Sequence, residues 1–71
     1  MRLSTVQYDL LERAIVNGSR LAIRRRGTEY LVIPERLRLE HGREIIVARH
    51  PSTGHRLDLV LDELDQLEPV R

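Results

Sequence analysis

Apolar positions along the chain change period once. From Leu3 to Asn17 they recur at helical spacing, with Tyr8, Leu10, Leu11, Ala14 and Ile15 on one side and Asp9, Glu12 and Arg13 on the other. Ser4 and Gln7 match a capping box, in which each side chain satisfies the other's backbone N–H, and Leu3 with Tyr8 suits a hydrophobic staple. Asn17 and Gly18 supply the left-handed residue that ends many helices. The pattern predicts one amphipathic helix over about 4–17.

Beyond Gly18 the period becomes two. Leu21 and Ile23 alternate with Arg20, Ala22 and Arg24, and the chain turns at Gly27 and Thr28. The stretch from Glu29 to Ile33 is apolar after its first residue, which suits a strand covered on both faces. Pro34 has no N–H to donate to a ladder and marks a bend or an edge, after which Leu37 and Leu39 alternate with Arg36, Arg38 and Glu40. His41 and Gly42 form the next turn, Pro51 to Gly54 a hairpin loop, and Leu57, Leu59 and Leu61 share one face of a later strand. Asp62 to Asp65 is too short for an ordinary helix and too charged for a strand interior, so it reads as a tight helical turn. Strands are predicted at about 20–26, 29–40, 43–50, 55–61 and 66–70.

One helix followed by five short strands is mainly β with one N-terminal α-helix. It is the layout of a single domain over 4–70, a small five-stranded Sm-like or SH3-like barrel. Closure of the barrel would remove the exposed edges of such short strands. Met1, Arg2 and Arg71 read as loose ends.

With 71 residues the core has little margin, burying only about 60% of the unfolded surface. Cysteine is absent, so neither disulfides nor thiolate metal sites are available. No apolar run reaches the roughly 20 residues needed to span a bilayer, and no leader pattern opens the chain. The expectation is a cytoplasmic protein with no membrane partner.

The formal charge of +1 conceals a division along the chain. Between Arg20 and Arg56 lie nine arginines against four glutamates, whereas after Leu57 five acidic residues face only Arg71. All twelve basic residues are arginine, a side chain suited to planar recognition of phosphate or carboxylate. A coding bias toward arginine is the better account of that preference, so the absence of lysine is weak evidence for nucleic acid.

The segments LERAIVNGSRLAI, VIPERL around Pro34, REIIVAR and the VLDEL end together resemble the WYL domain, a bacterial Sm-like barrel, over nearly the whole chain. The resemblance implies a ligand-sensing or nucleic-acid-binding part of a transcription regulator. Two departures stand out. Glu44, Ile45 and Ile46 replace the tryptophan, tyrosine and leucine of that family, and Val60 and Glu63 flank Leu61 and Asp62 where arginines are usual. The winged DNA-binding domain that usually precedes a WYL domain has no room here, so a stand-alone module or an excised piece is expected. A second resemblance, to the Rho-binding antiterminator, rests on Tyr8, Asp9, Leu11, Glu12 and Ala14 and on Leu59, Leu61 and Asp62. It implies an acidic surface that engages a protein of the transcription machinery.

Arg36 and Arg38, two apart on a strand, share a face, whereas consecutive Arg24, Arg25 and Arg26 point alternately to opposite faces. Arg24, Arg36, Arg38, Arg49 and Arg56 are therefore the candidate contacts for a single-stranded nucleic acid or nucleotide, held through phosphate without sequence readout. The competing reading is a solvated surface of arginine–glutamate pairs. Only Tyr8 and Tyr30 offer rings for base stacking, and both have a structural use, in the helix staple and the core, so binding would be electrostatic and salt-dependent. His41, His50 and His55 sit in or beside turns at wide spacing, and no metal or other cofactor is expected. No serine or cysteine nucleophile motif or phosphate loop supports catalysis. The reading is a non-catalytic bacterial regulatory module binding an anionic ligand. The alternatives are a protein-interaction module using Asp58, Asp62, Glu63 and Asp65, or a homo-oligomer built through the last strand.

Overall fold

The computed structural model describes residues 2–70; Met1 and Arg71, read above as loose ends, lie outside the described residues. The elements are α1 (Thr5–Asn17), β1 (Leu21–Arg25), β2 (Thr28–Glu40), β3 (Arg43–Arg49), β4 (Arg56–Val60), a 3-10 turn (Leu61–Glu63) and β5 (Leu64–Pro69). The chain is mainly β with one N-terminal helix, as the periodicity predicts.

Both halves of the capping box form. The Gln7 amide donates to Ser4 Oγ at 3.1 Å and the Ser4 amide donates to Gln7 Oε1 at 2.9 Å. Gly18, at φ 66°, ends α1 and donates its N–H to the Ala14 carbonyl. The helix buries Leu11 and Ala14 and lies against β2 and β5.

The five strands form one antiparallel sheet in the order β4-β3-β2-β1-β5. Among the described residues no ladder joins β4 to β5, the two ends of that order; the 3-10 turn connects them. Thirteen residues of extended chain span about 40 Å, yet the longest dimension of the molecule is 30 Å, so β2 must bend. Its first half pairs with β1 and its second with β3. Between them Pro34 pairs with Ala48 and Arg36 with Val47, leaving Glu35 as the extra residue of a bulge. Pro34 is fully buried and sits where the ladder is already irregular, which suits a residue lacking an N–H.

The bulge reverses the phase of β2. Tyr30 and Val32 point inward before it; after it Leu37 and Leu39 share the inner face with Ile46 and Leu59, through the register Leu37–Ile46–Leu59. The core combines Leu3, Leu11 and Ala14 with Leu21, Ile23, Val32, Ile46, Ala48, Leu59, Leu61, Leu64 and Leu67.

One boundary differs from expectation. The helical turn covers Leu61–Glu63, not Asp62 to Asp65, and the last strand starts at Leu64, not Gln66. A register shift pairs Arg24 with Gln66 but Arg25 with Leu64, so Asp65 is an added residue and both Leu64 and Leu67 face the core. Buried positions three apart imitate a helical spacing.

Candidate functional site

The register places four of the five candidate arginines on one surface. Residues directly opposite across antiparallel strands point the same way. The rows Arg38–Ile45–Val60, Arg36–Val47–Asp58 and Ile33–Arg49–Arg56 therefore share the outer face of β2, β3 and β4. Glu40 and Arg43 face each other at the end of the same surface. Ile45 and Val47 are buried, yet neither belongs to the core cluster. Cross-strand pairing sets Ile45 beside Arg38 and Val47 beside Arg36, and arginine stems can cover apolar surface while their guanidinium heads reach water. Arg38 Nε is itself buried without a partner.

Asp58 stands within this surface. Its carboxylate accepts from Arg56 Nε at 2.9 Å and from Arg56 NH2 at 3.3 Å, a two-pronged pair, and from Arg38 NH2 at 3.4 Å. The hydrogen bond from Arg56 holds the Asp58 carboxyl below its ordinary value, and the same bond raises the Arg56 guanidinium. Arg38 also meets Glu40 at 3.1 Å and Arg49 meets Glu35 at 3.5 Å. Arg36 and Arg43, both exposed, have no ion pair among the described residues. The surface thus carries five arginines and three carboxylates, with two of its cations uncommitted.

Arg24 lies apart, on the outer face of β1, opposite Glu29 and 3.8 Å from its carboxylate. Arg25 points inward, 5.3 Å above the Tyr30 ring, and reaches Glu63 at 4.0 Å. The acidic candidates also separate. Asp58 joins the arginines, while Asp62, Glu63 and Asp65 are exposed around the 3-10 turn and the start of β5. His41 occupies the β2–β3 turn, and the His50 amide donates to the His55 carbonyl at 2.9 Å across the base of the β3–β4 loop. Among the described residues no three histidine or carboxylate side chains gather as a metal site. A cleft of about 420 Å³ is lined by Arg20, Glu29, Tyr30, Leu31, His50, Pro51 and Ser52, none of them a candidate arginine.

Three participants escape sequence reasoning. Arg43 belongs to the outer face because Arg43, Ile45, Val47 and Arg49 alternate with Glu44, Ile46 and Ala48; reading β3 backward from Arg49 at period two reveals it. Glu35 reaches Arg49 from the bulge, for which the sequence gives only the neighbouring proline as a sign. Glu44 accepts from the Tyr8 hydroxyl at 2.7 Å, a pairing across 36 residues that no local pattern announces.

No protein-family model matches the chain, and no curated protein matches it. No helix among the described residues is long and apolar enough to cross a membrane.

Proposed function

We propose that the protein is a non-catalytic regulatory module whose outer β2–β3–β4 face binds an anionic strand or nucleotide through phosphate, with Arg36, Arg38, Arg43, Arg49 and Arg56 as contacts. The observation that carries this reading is the shared face of these five side chains, two of them without an anion among the described residues. The strand-rich fold with its N-terminal helix fits the resemblance to WYL domains, and the reading keeps the transcription-regulatory role which that resemblance implies. Arg24 is an outlying contact, reached only by a ligand long enough to pass from β3 to β1.

Anisotropy titration of a labelled single-stranded oligonucleotide at low and physiological salt tests it. Wild type binds at low salt and weakens with added salt; Arg43→Glu binds less tightly and lowers the salt slope by about 0.7 for each phosphate it no longer neutralises. Binding that ignores salt, or equal binding by Arg43→Glu and Arg36→Glu, overturns the reading.

Exposed Asp62 and Asp65, without ion pairs among the described residues, favour a second reading in which the acidic junction engages a protein partner of the antiterminator type. In that case Asp62→Lys, still folded, loses capture of a transcription-machinery protein while oligonucleotide binding persists.

A further inference from the structure

The two halves of β2 use opposite edges. β1 covers only Thr28 to Val32 on one side, and β3 covers Ile33 to Glu40 on the other. Beyond Val32, the edge facing away from β3 therefore has no strand beside it among the described residues.

Its hydrogen-bonding groups follow from the turn. His41 and Gly42, at φ 52° and 76°, form a two-residue turn of the I′ kind, closed by Glu40 and Arg43. A closing pair of this kind exchanges both backbone hydrogen bonds, and the bonded rows then alternate along the ladder. Glu40, Arg38 and Arg36 are thus bonded to β3, while Leu37 and Leu39 turn their N–H and C=O groups to the open edge. Their side chains are exposed as well, Leu39 at 71% and Leu37 at 38%, although they lie on the face that is the core elsewhere. An edge with free backbone groups and apolar side chains is a template for strand addition.

We propose that this half-edge of β2 joins two copies of the chain, β2 to β2 and antiparallel, about a two-fold axis through Arg38. The side-chain order chooses the occupant. In this register each Leu37 faces Leu39 of the second copy on one face, and each Arg36, unpaired among the described residues, faces Glu40 of the second copy on the other. Leu37 and Leu39 then exchange backbone hydrogen bonds, the bonding rows their orientation requires. The two Arg38 side chains meet at the axis, each already held by its own Glu40 and Asp58 at 3.1 and 3.4 Å. Like charges directly opposite are unfavourable. A register centred on Leu37 sets Arg36, without a carboxylate of its own among the described residues, against Arg38 of the second copy twice, whereas here the one like pair is Arg38 with Arg38, each held by its own carboxylates. A register centred on Leu39 runs Leu37 into the His41 turn and leaves Arg36 unpaired. The surface is self-complementary, as a two-fold interface must be. A contact of one short strand per copy is small beside the roughly 1,200 Å² of a lasting complex, so the dimer dissociates on dilution.

Sedimentation equilibrium of the full chain over a wide concentration series, without nucleic acid, tests this. The mass rises with concentration from 8.3 kDa toward twice that value. Leu39→Lys remains monomeric with an unchanged thermal transition, since the side chain it alters is exposed. Arg36→Glu weakens the dimer, and Arg36→Glu combined with Glu40→Arg restores it. A monomeric wild type throughout the series, a dimer that persists in Leu39→Lys, or failure of the charge exchange to restore assembly overturns the proposal.

Discussion

The Tyr8 hydroxyl lies 2.7 Å from each carboxylate oxygen of Glu44, tying α1 to the start of β3. A phenol has one proton to give, so the carboxylate shares it between two acceptors. The pair borders a cleft of about 170 Å³ with Arg2, Gly42, Leu61 and Asp62.

This pairing predicts a stability limit in alkali. The hydrogen bond to Glu44, followed by burial, raises the Tyr8 pKa above the ordinary 10.0. A folded-state pKa above the unfolded one contributes stability that is complete below 10.0 and disappears as pH rises through the folded value. Tyrosinate absorbance should therefore show Tyr8 ionising late, with the Tyr8→Phe variant lacking that late step. The variant's urea midpoint is lower at neutral pH and approaches wild type in strong alkali.

Asp58 predicts an effect of the opposite sign. Its carboxyl is held below 3.8 chiefly by Arg56, so its contribution is complete above 3.8 and fades as pH falls through the folded value. Asp58→Asn removes a negative charge from the arginine surface, releases Arg56 from its carboxylate and leaves Arg38 with Glu40 alone. The expected outcome is tighter oligonucleotide binding with steeper salt dependence, read by the anisotropy titration, together with weaker acid sensitivity of the melting temperature. Unchanged affinity would mean that Arg56 and Arg38 do not contact the ligand.

Gly42 gives a backbone prediction. It sits at φ 76°, and a Cβ added there would have no heavy atom within 4 Å, so alanine meets no clash and costs only its left-handed conformation. Gly42→Ala should lose about 1–2 kcal/mol and lower the melting temperature by several degrees, while Gly42→Asn loses less. Thermal unfolding monitored by circular dichroism checks both.

Much of this architecture is legible in the sequence because its signals are local. Ser4, Gln7 and Gly18 bound the helix through groups within a few residues of one another, and Gly27 and Gly42 mark turns by their backbone requirement alone. The sharing of a face by Arg36 and Arg38 likewise needs only the two-residue period of a strand. What stays hidden depends on partners distant in sequence. The bulge at Glu35 decides which way Leu37 and Arg38 point, and it exists only as a mismatch between two strands. Proximity along the chain groups Asp58 with Asp62, Glu63 and Asp65, yet its position two residues from Arg56 on one strand draws it to the arginines. Charge alone groups Arg24 with the other arginines, but β1 holds it beside Glu29.

The pairing of β1 with β5 has a consequence for how the protein is made. Leu21 lies beside Pro69 and Ile23 beside Leu67, so the second edge of the first strand is filled there only by residues that come 44 to 48 positions later in the chain. Leu64 and Leu67, both buried, reach the core only then. Helix α1 and the β2–β3 hairpin can form from nearby residues as the polypeptide emerges, but their apolar surfaces stay uncovered until β5 arrives. The nascent chain is therefore most vulnerable to aggregation and proteolysis just before β5 emerges.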